Sequence, residues 1–124
     1  NYLQQTQVSA AHKELIKIRA SQLNGCAFCI DMHTKSALKH GETPQRMLLL
    51  SAWRETDLFT EQEKAILKLT EEVTLIHQGG VSPGTYQKII DLFGELYFSQ
   101  FIMTIVTINS WNRISVSTNK PITL

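Results

Sequence analysis

The sequence predicts an all-α fold, a helical bundle of about six helices. Apolar residues recur at spacings of three and four, the period of a buried helical face. Capping residues precede these segments and glycines follow them, which is typical of helices joined by short connections. A chain of 124 residues can bury roughly two-thirds of its unfolded surface. We therefore expect a single domain over residues 1–124.

The first two helices are predicted over residues 9–23 and about 26–40. One face of the first helix has a four-three-four spacing, formed by Ala11, Leu15, Ile18 and Gln22. Asn24-Gly25 ends this helix, because glycine readily adopts the left-handed conformation of a helix terminus, and Gly41 ends the second. Helices joined by so short a turn are expected to pack antiparallel.

The third and fourth helices each begin at a threonine cap. Thr43-Pro44 combines an N-cap with proline at the first helical position, and this helix should run to about Arg54. Thr60 and Glu63 match a capping box. The fourth helix should end at Gly79-Gly80, and its apolar stripe consists of Ile66, Leu69, Val73 and Ile76.

Ser82-Pro83 begins the fifth helix, whose predicted face consists of Tyr86, Ile89, Ile90, Phe93 and Tyr97. The sixth helix should begin near Ser99. Its β-branched residues suggest a strand, but the apolar residues recur at helical spacing, namely Phe98, Phe101, Ile102, Ile105 and Val106. The tail around Pro121 is expected to be irregular.

Composition argues against several classes of function. The formal net charge is +1, and no basic patch interleaved with aromatic residues points to nucleic acid. The most apolar run, residues 101–108, is too short for a bilayer, which needs about 20 residues, so no membrane partner is expected. Two cysteines do not make a disulfide framework, and no signal peptide opens the chain. We therefore expect a cytoplasmic protein.

The two cysteines form a C-x-x-C motif at the predicted start of the second helix. Cys26 and Cys29 lie where unpaired N–H groups and the helix dipole stabilise negative charge, and such sites favour the reactive thiolate. Their spacing lets a disulfide open and close without large backbone motion. His33 follows Cys29 by four residues and faces the same way, so its imidazole can relay a proton.

Glu14 is a candidate proton acceptor in the first helix. It borders the apolar face, where a carboxylate can be partly buried and suited to act as a base. Glu14 lies 11 residues before Gly25 and His33 lies eight after it. At about 1.5 Å per residue the mismatch is only roughly 4.5 Å, so the two side chains can meet across an antiparallel pair.

Each of these residues also has a simpler interpretation. The cysteines can be small buried residues, His33 an ordinary core or surface histidine, and Glu14 a solvated helix charge. A zinc site would use Cys26, Cys29 and His33 with Glu14 or His40 as the fourth ligand, although structural zinc usually takes two separated ligand pairs. The other histidines, His12, His40 and His77, are interpreted as surface residues.

Residues 14–34 read ELIKIRASQLNGCAFCIDMHT and resemble the core motif of the AhpD-like, or carboxymuconolactone decarboxylase-like, family. Redox members of this family place a Glu twelve residues before the first Cys, and a His four residues after the second. Glu14 and His33 stand at these positions. Residues 51–74 and 109–117 also resemble the family's small members, so the similarity covers most of the chain.

The resemblance implies an AhpD-like helical fold, trimers or hexamers, and thiol-dependent peroxidase activity. By matching position, Cys29 would attack the peroxide, Cys26 would resolve the product as a disulfide, and Glu14 and His33 would form the catalytic proton relay. The substrate would be a hydroperoxide, and a lipoyl or thioredoxin-like dithiol would reduce the disulfide. No cofactor or metal other than the redox-active pair is expected.

The chain differs from the best-known alkylhydroperoxidase of the family, which has a His between its cysteines where this chain has Phe28. Typical decarboxylase members lack the cysteine pair, so both cysteines argue against lactone decarboxylation. Alternative functions are a non-catalytic redox sensor, a disulfide reductase, or a decarboxylase with an incidental C-x-x-C. Four large apolar residues either cover an oligomer interface or fill the core: Trp53, Phe59, Phe98 and Phe101.

Overall fold

A computed structural model describes residues 7–124 and confirms the all-α prediction. Two short 3₁₀ helices, Leu50–Glu55 and Ile76–Gln78, connect the main elements, and no strand occurs within these residues. The described part of the chain contains six α-helices: α1 (Ala10–Asn24), α2 (Ala27–Lys39), α3 (Pro44–Leu49), α4 (Glu61–Thr74), α5 (Pro83–Phe93) and α6 (Glu95–Ser117).

Helix α1 is the central element of the bundle, since it packs against α2, α4 and α6. Leu15 and Ile18 face a cluster shared with α2 and the third-helix region. Ile16 and Ala20 face a second cluster around Phe101, formed with α4, α5 and α6. The predicted single stripe therefore describes only one of two buried sides.

The structure places the large apolar residues in the core rather than on a surface. Trp53, Phe59 and Phe101 are buried, and Phe98 is partly buried against the cluster around Phe101. Of the two interpretations of these residues, core filling is the one that the structure supports. An oligomer interface must therefore use other residues.

The third helix is shorter than predicted. It ends at Leu49, and the chain continues as the 3₁₀ helix Leu50–Glu55, which is interrupted at Ala52 by non-helical dihedral angles. A 3₁₀ helix repeats every three residues, so Leu50 and Trp53 share one side. Both are buried, so this segment still turns an apolar side to the core although the α-helix ends at Leu49.

The capping box at the start of α4 is confirmed. Thr60 Oγ1 accepts from the backbone N–H of Glu63, and the Glu63 carboxylate accepts from the backbone N–H of Thr60. The assignment of Ile76 to the α4 stripe is wrong. Helix α4 ends at Thr74, and Ile76 lies 59% exposed in the following 3₁₀ turn.

The boundary between the last two helices is also corrected. Gly94 has φ 92° and ψ 173°, so α5 ends at Phe93 and α6 begins at Glu95, four residues earlier than predicted. Tyr97 therefore belongs to α6. Val106, predicted on the buried face, is 45% exposed.

Within residues 7–124 no single helix is both long and apolar enough to cross a membrane. Helices α5 and α6 meet such a criterion only when taken together, and they are bent by 119° where they join.

Candidate active site

The turn between α1 and α2 delivers both cysteines to the start of α2. Gly25, with φ 66° and ψ 34°, ends α1, and its N–H donates to the carbonyl of Gln22. The N–H of Cys26 donates to the carbonyl of Ser21, which completes a glycine-based helix cap. Cys26 is then the N-cap of α2, and its Sγ accepts from the N–H of Cys29 at 3.3 Å. The predicted N-terminal placement is confirmed.

The two cysteines form a disulfide with a Cα–Cα distance of 5.3 Å. Both are almost fully buried, with 1% of Cys26 and 2% of Cys29 exposed. They differ in their surroundings, because Cys29 lines a cleft of about 480 Å³ whereas Cys26 is not part of its lining. A molecule in this cleft therefore meets Cys29 first.

Glu14 and His33 meet across the α1–α2 pair, as predicted. Oε2 of Glu14 lies 3.5 Å from Nδ1 of His33, and only 16% and 15% of the two side chains are exposed. This Oε2 is buried and has no hydrogen-bond partner within the described residues. The side chain that faces this oxygen is His33, which in turn lines the cleft beside Cys29. The arrangement links a buried carboxylate to the cleft through one imidazole.

The cleft lies between α1, α2 and α6. Its apolar walls are formed by Phe28, Met32, Ile108 and Trp111. Phe28 stands where the best-known alkylhydroperoxidase has a His, and Lys120 Nζ lies 5.0 Å from the centre of its ring. Lys13 and Lys17 of α1 complete the charged part of the lining. None of these residues was predicted to form a site.

A partly buried polar network fixes the turn that carries Cys26. Asn24 Nδ2 donates to the side-chain oxygens of Asn109 and Asn112, at 3.0 and 2.9 Å. Asn112 Nδ2 donates to Ser21 Oγ at 2.9 Å. Because Asn112 is fully buried, its hydrogen bonds hold the end of α1 against α6. Sequence reasoning missed this role, although Asn112 is in phase with the buried face of α6.

A buried carboxylate anchors α1 to α4. Glu71 Oε2 accepts from Arg19 Nε and from Trp53 Nε1, both at 2.9 Å, and Oε1 accepts from Arg54 at 2.6 Å. Burial alone would raise the pKa of Glu71, but the hydrogen bonds from Arg54, Trp53 and Arg19 outweigh burial and lower it. Glu71 therefore stays ionised and fixes the helix that carries Glu14.

The histidine assignments are partly corrected. His40 and His77 are exposed, as predicted, and His40 Nδ1 lies 2.7 Å from the carbonyl oxygen of Ser36. His12 is instead partly buried, with its ring edge-on to Phe93 at 6.2 Å. Burial lowers the pKa of His12, an effect that the negative charge of Glu63 opposes. The prediction of a surface residue is wrong for His12 because the Phe93 ring at the end of α5 covers part of its imidazole.

The zinc alternative has no matching geometry in the part of the chain that the structure describes. No group of three or more His, Cys, Asp and Glu side chains is arranged there to hold a metal ion. The cysteines are joined to each other, and His40 belongs to the far end of α2.

The sequence profile described as the carboxymuconolactone decarboxylase family matches residues 2–72. The chain belongs to this family. It is similar to YdfG, an uncharacterized protein of Bacillus subtilis (strain 168), with 47% identity over 116 residues that cover 94% of this chain and 79% of YdfG. The uncharacterized protein YnjA of Escherichia coli (strain K12) is 24% identical over 63 residues, which cover 51% of this chain and only 35% of YnjA.

A solved structure has the same fold as this member of the carboxymuconolactone decarboxylase family. It is a protein of unknown function from Agrobacterium tumefaciens, described as a candidate antioxidant defence protein AhpD. The two share a TM-score of 0.96 and 36% identity, and the match covers 100% of this chain and 85% of that one. The AhpD-like fold predicted from the motif is thus confirmed, and the family and the disulfide fit an antioxidant role.

Proposed function

We propose that this protein is a thiol-dependent peroxidase that reduces organic hydroperoxides with Cys29. One observation carries the proposal. Of the two cysteines, Cys29 alone lines the cleft, together with His33, which is backed by the buried Glu14 carboxylate. A C-x-x-C pair with a nucleophile open to a ligand cleft and a proton acceptor beside it suits peroxide chemistry better than structural use.

The oxidation half begins with transfer of the Cys29 thiol proton to His33, which gives the thiolate. Sγ of Cys29 attacks one peroxide oxygen, so that an S–O bond forms, the O–O bond breaks and His33 returns the proton to the departing alkoxide. The sulfur loses two electrons and becomes a sulfenic acid, while the peroxide becomes an alcohol. The thiol of Cys26 then displaces water from this sulfur and forms the disulfide.

The reduction half requires a dithiol, of the lipoyl or thioredoxin-like class. One of its thiolates attacks Sγ of Cys29, the sulfur nearer the cleft, and Cys26 leaves as a thiolate. The N–H of Cys29, which donates to Sγ of Cys26, favours this departure because it stabilises the negative charge. The second thiol of the reductant then attacks the reductant's own sulfur in the mixed disulfide and releases Cys29 as a thiolate. The reductant leaves as a disulfide, having given two electrons to the Cys26–Cys29 pair.

We propose that the protein works in the cytoplasm as a homo-oligomer, a trimer or a hexamer. The support comes from α6, where four apolar side chains between 43% and 56% exposed face solvent: Leu96, Met103, Val106 and Ile114. A helix face this apolar is unusual on a monomer and suits burial against another copy.

The first test compares Cys26→Ser with Cys29→Ser, using tert-butyl hydroperoxide and either dihydrolipoamide or a thioredoxin system. Both variants should lose steady-state turnover. Cys26→Ser should still consume about one equivalent of peroxide and retain a sulfenic acid that dimedone labels, whereas Cys29→Ser should not. The reverse labelling pattern would assign the attack to Cys26. A wild type that forms its disulfide once but never turns over would instead indicate a redox sensor.

A second arm of this test addresses the proton relay. His33→Asn should slow the oxidation of Cys29 by roughly 10²–10⁴-fold. Glu14→Gln should also slow it and change its pH dependence, because Glu14 acts through His33 and a structural loss alone would lower the rate equally at every pH. His40→Asn, an exposed histidine at the C-cap of the same helix, is the matched control and should leave rate and pH dependence unchanged.

A further inference from the structure

The cleft beside Cys29 is larger and more apolar than a small peroxide requires. Its volume of about 480 Å³ lies within the range of about 300–1,000 Å³ typical of sites for organic ligands. Two of its apolar residues remain open to solvent, since Met32 is 44% and Trp111 is 58% exposed. Hydrogen peroxide would bury none of this surface, whereas a hydrocarbon chain would gain free energy by covering it.

The charged residues of the cleft are both cations. Lys13 and Lys17 lie one helical turn apart on α1 and line the same cleft, and no Asp or Glu is among its described lining residues. Lys17 Nζ forms an ion pair with Oε1 of Glu14 at 3.9 Å, which is longer than a hydrogen bond. Glu14 itself lines a separate cleft, together with His40, Arg46 and Glu63. Lys17 can therefore offer its ammonium protons to an anion in the Cys29 cleft.

We infer that this cleft selects hydroperoxides that join a hydrocarbon body to a carboxylate, such as those formed when dioxygen oxidises unsaturated fatty acids. The inference rests on the proposed peroxidase function and specifies its substrate class. The apolar walls take the chain, Lys13 and Lys17 bind the carboxylate, and Cys29 and His33 face the hydroperoxide group. A neutral hydroperoxide of equal size makes the same apolar contacts but lacks the charged one.

The kinetic test uses two substrates with the same chain, linoleic acid hydroperoxide and its methyl ester, below their micelle concentrations. The wild type should have a kcat/KM about tenfold higher for the acid, because a charge-assisted hydrogen bond at a partly exposed site is worth roughly this factor. Lys17→Gln should lower the acid-to-ester ratio of kcat/KM from about tenfold to about one. Because Lys17 also pairs with Glu14, the ratio is the readout, since any effect through Glu14 is common to both substrates. Lys39→Gln, an exposed lysine of α2, is the matched control. Equal kcat/KM for acid and ester would overturn the inference.

A binding measurement separates this inference from the peroxidase proposal. Linoleate, which has no peroxide group, is titrated into Cys29→Ser while the fluorescence of Trp111 in the cleft is followed; Trp53 is buried elsewhere and contributes a constant signal. We expect saturable binding that Lys17→Gln weakens about tenfold and Lys39→Gln does not. A linoleate affinity that Lys17→Gln does not change, or that equals the affinity for methyl linoleate, would refute the proposed substrate class. If linoleate binds more tightly than methyl linoleate but the wild type turns over no hydroperoxide, the peroxidase proposal is refuted and the carboxylate-binding site is supported.

Discussion

Glu71 connects α4 to α1 through its buried carboxylate. Its carboxylate accepts hydrogen bonds from three side chains on two elements, Arg19 of α1 and both Trp53 and Arg54 of the 3₁₀ helix Leu50–Glu55. Removing one partner of a buried ion pair is costly because the remaining charge stays desolvated. Arg19, whose side chain is 12% exposed, would be left in that state.

We predict that Glu71→Gln lowers the free energy of unfolding by about 3 kcal/mol at neutral pH. The pKa of Glu71 in the folded protein lies below its ordinary value of 4.5. The stability that this carboxylate contributes is therefore fully present above pH 4.5 and is lost as the pH falls through the lower folded value. The difference in free energy of unfolding between wild type and Glu71→Gln should therefore become smaller as the pH falls through that range.

Urea unfolding at a series of pH values, from neutral to about 3, measures this gap. Glu55→Gln is the matched control, since Glu55 is exposed and its replacement should change the free energy of unfolding by less than about 0.5 kcal/mol. A gap that does not vary with pH would show that Glu71 stabilises the fold by packing rather than by its charge.

The chemistry-bearing residues could be predicted because they lie on two consecutive helices. Helical spacing alone puts Cys29 and His33 on one face, and the lengths on either side of Gly25 bring Glu14 opposite His33. Trp111 reaches the same cleft only through the packing of α6, which no local pattern specifies. Lys17 was missed for a related reason. A lysine at the border of a helical face is expected to be solvated, and only the packing of α6 shows that a cleft lies beside it.

At the scale of elements, the join between α5 and α6 depends on one backbone conformation. Gly94 has φ 92° and ψ 173°, a region that only glycine adopts without strain. A Cβ added there would meet no atom within 4 Å. Any other residue at this position would therefore destabilise the fold only through its strained backbone conformation, since its Cβ would meet no other atom.

We predict that Gly94→Ala lowers the free energy of unfolding by about 1–3 kcal/mol. Gly84 provides a matched control, because it lies in the first turn of α5 with helical geometry and equally open space. Gly84→Ala should be neutral or stabilise by up to about 1 kcal/mol, since alanine favours a helix. Urea denaturation of both variants measures the difference, and equal effects would refute the backbone argument.

Helix starts could be predicted more reliably than helix ends. Thr43, Thr60 and Ser82 are N-caps as expected, because a side-chain hydroxyl and the sequence after it define the start locally. The division at Gly94 was missed because the apolar spacing runs on through Phe93 and Tyr97. Their rings do stay close, with centroids 5.6 Å apart, but across a bend rather than along one helix.

At the scale of the whole molecule, the apolar surface of α6 has the pattern of a helix interface. Leu96, Met103 and Val106 are separated by seven and three residues, and exposed serines fill the intervening heptad positions at Ser99 and Ser110. Such a stripe repeats with the period that lets two helices pack along their length. Small serines between larger side chains would allow the close approach of a second copy.

We predict that the wild type has a mass in solution that is a multiple of 14.1 kDa, and that Val106→Glu lowers this mass. A glutamate in the centre of the stripe would place a charge in a contact that is otherwise apolar, and should raise the dissociation constant at least tenfold. Static light scattering over a range of protein concentrations measures both quantities.

The matched control is Leu48→Glu, because Leu48 is an apolar side chain of α3 that is 79% exposed and far from α6 in the chain. It introduces the same charge without touching the stripe, so the assembled mass should stay that of the wild type. If Leu48→Glu dissociates the assembly and Val106→Glu does not, the interface between copies lies on α3 instead of α6. A wild type that remains at 14.1 kDa at every concentration would mean that the α6 stripe is not an interface between copies of this chain.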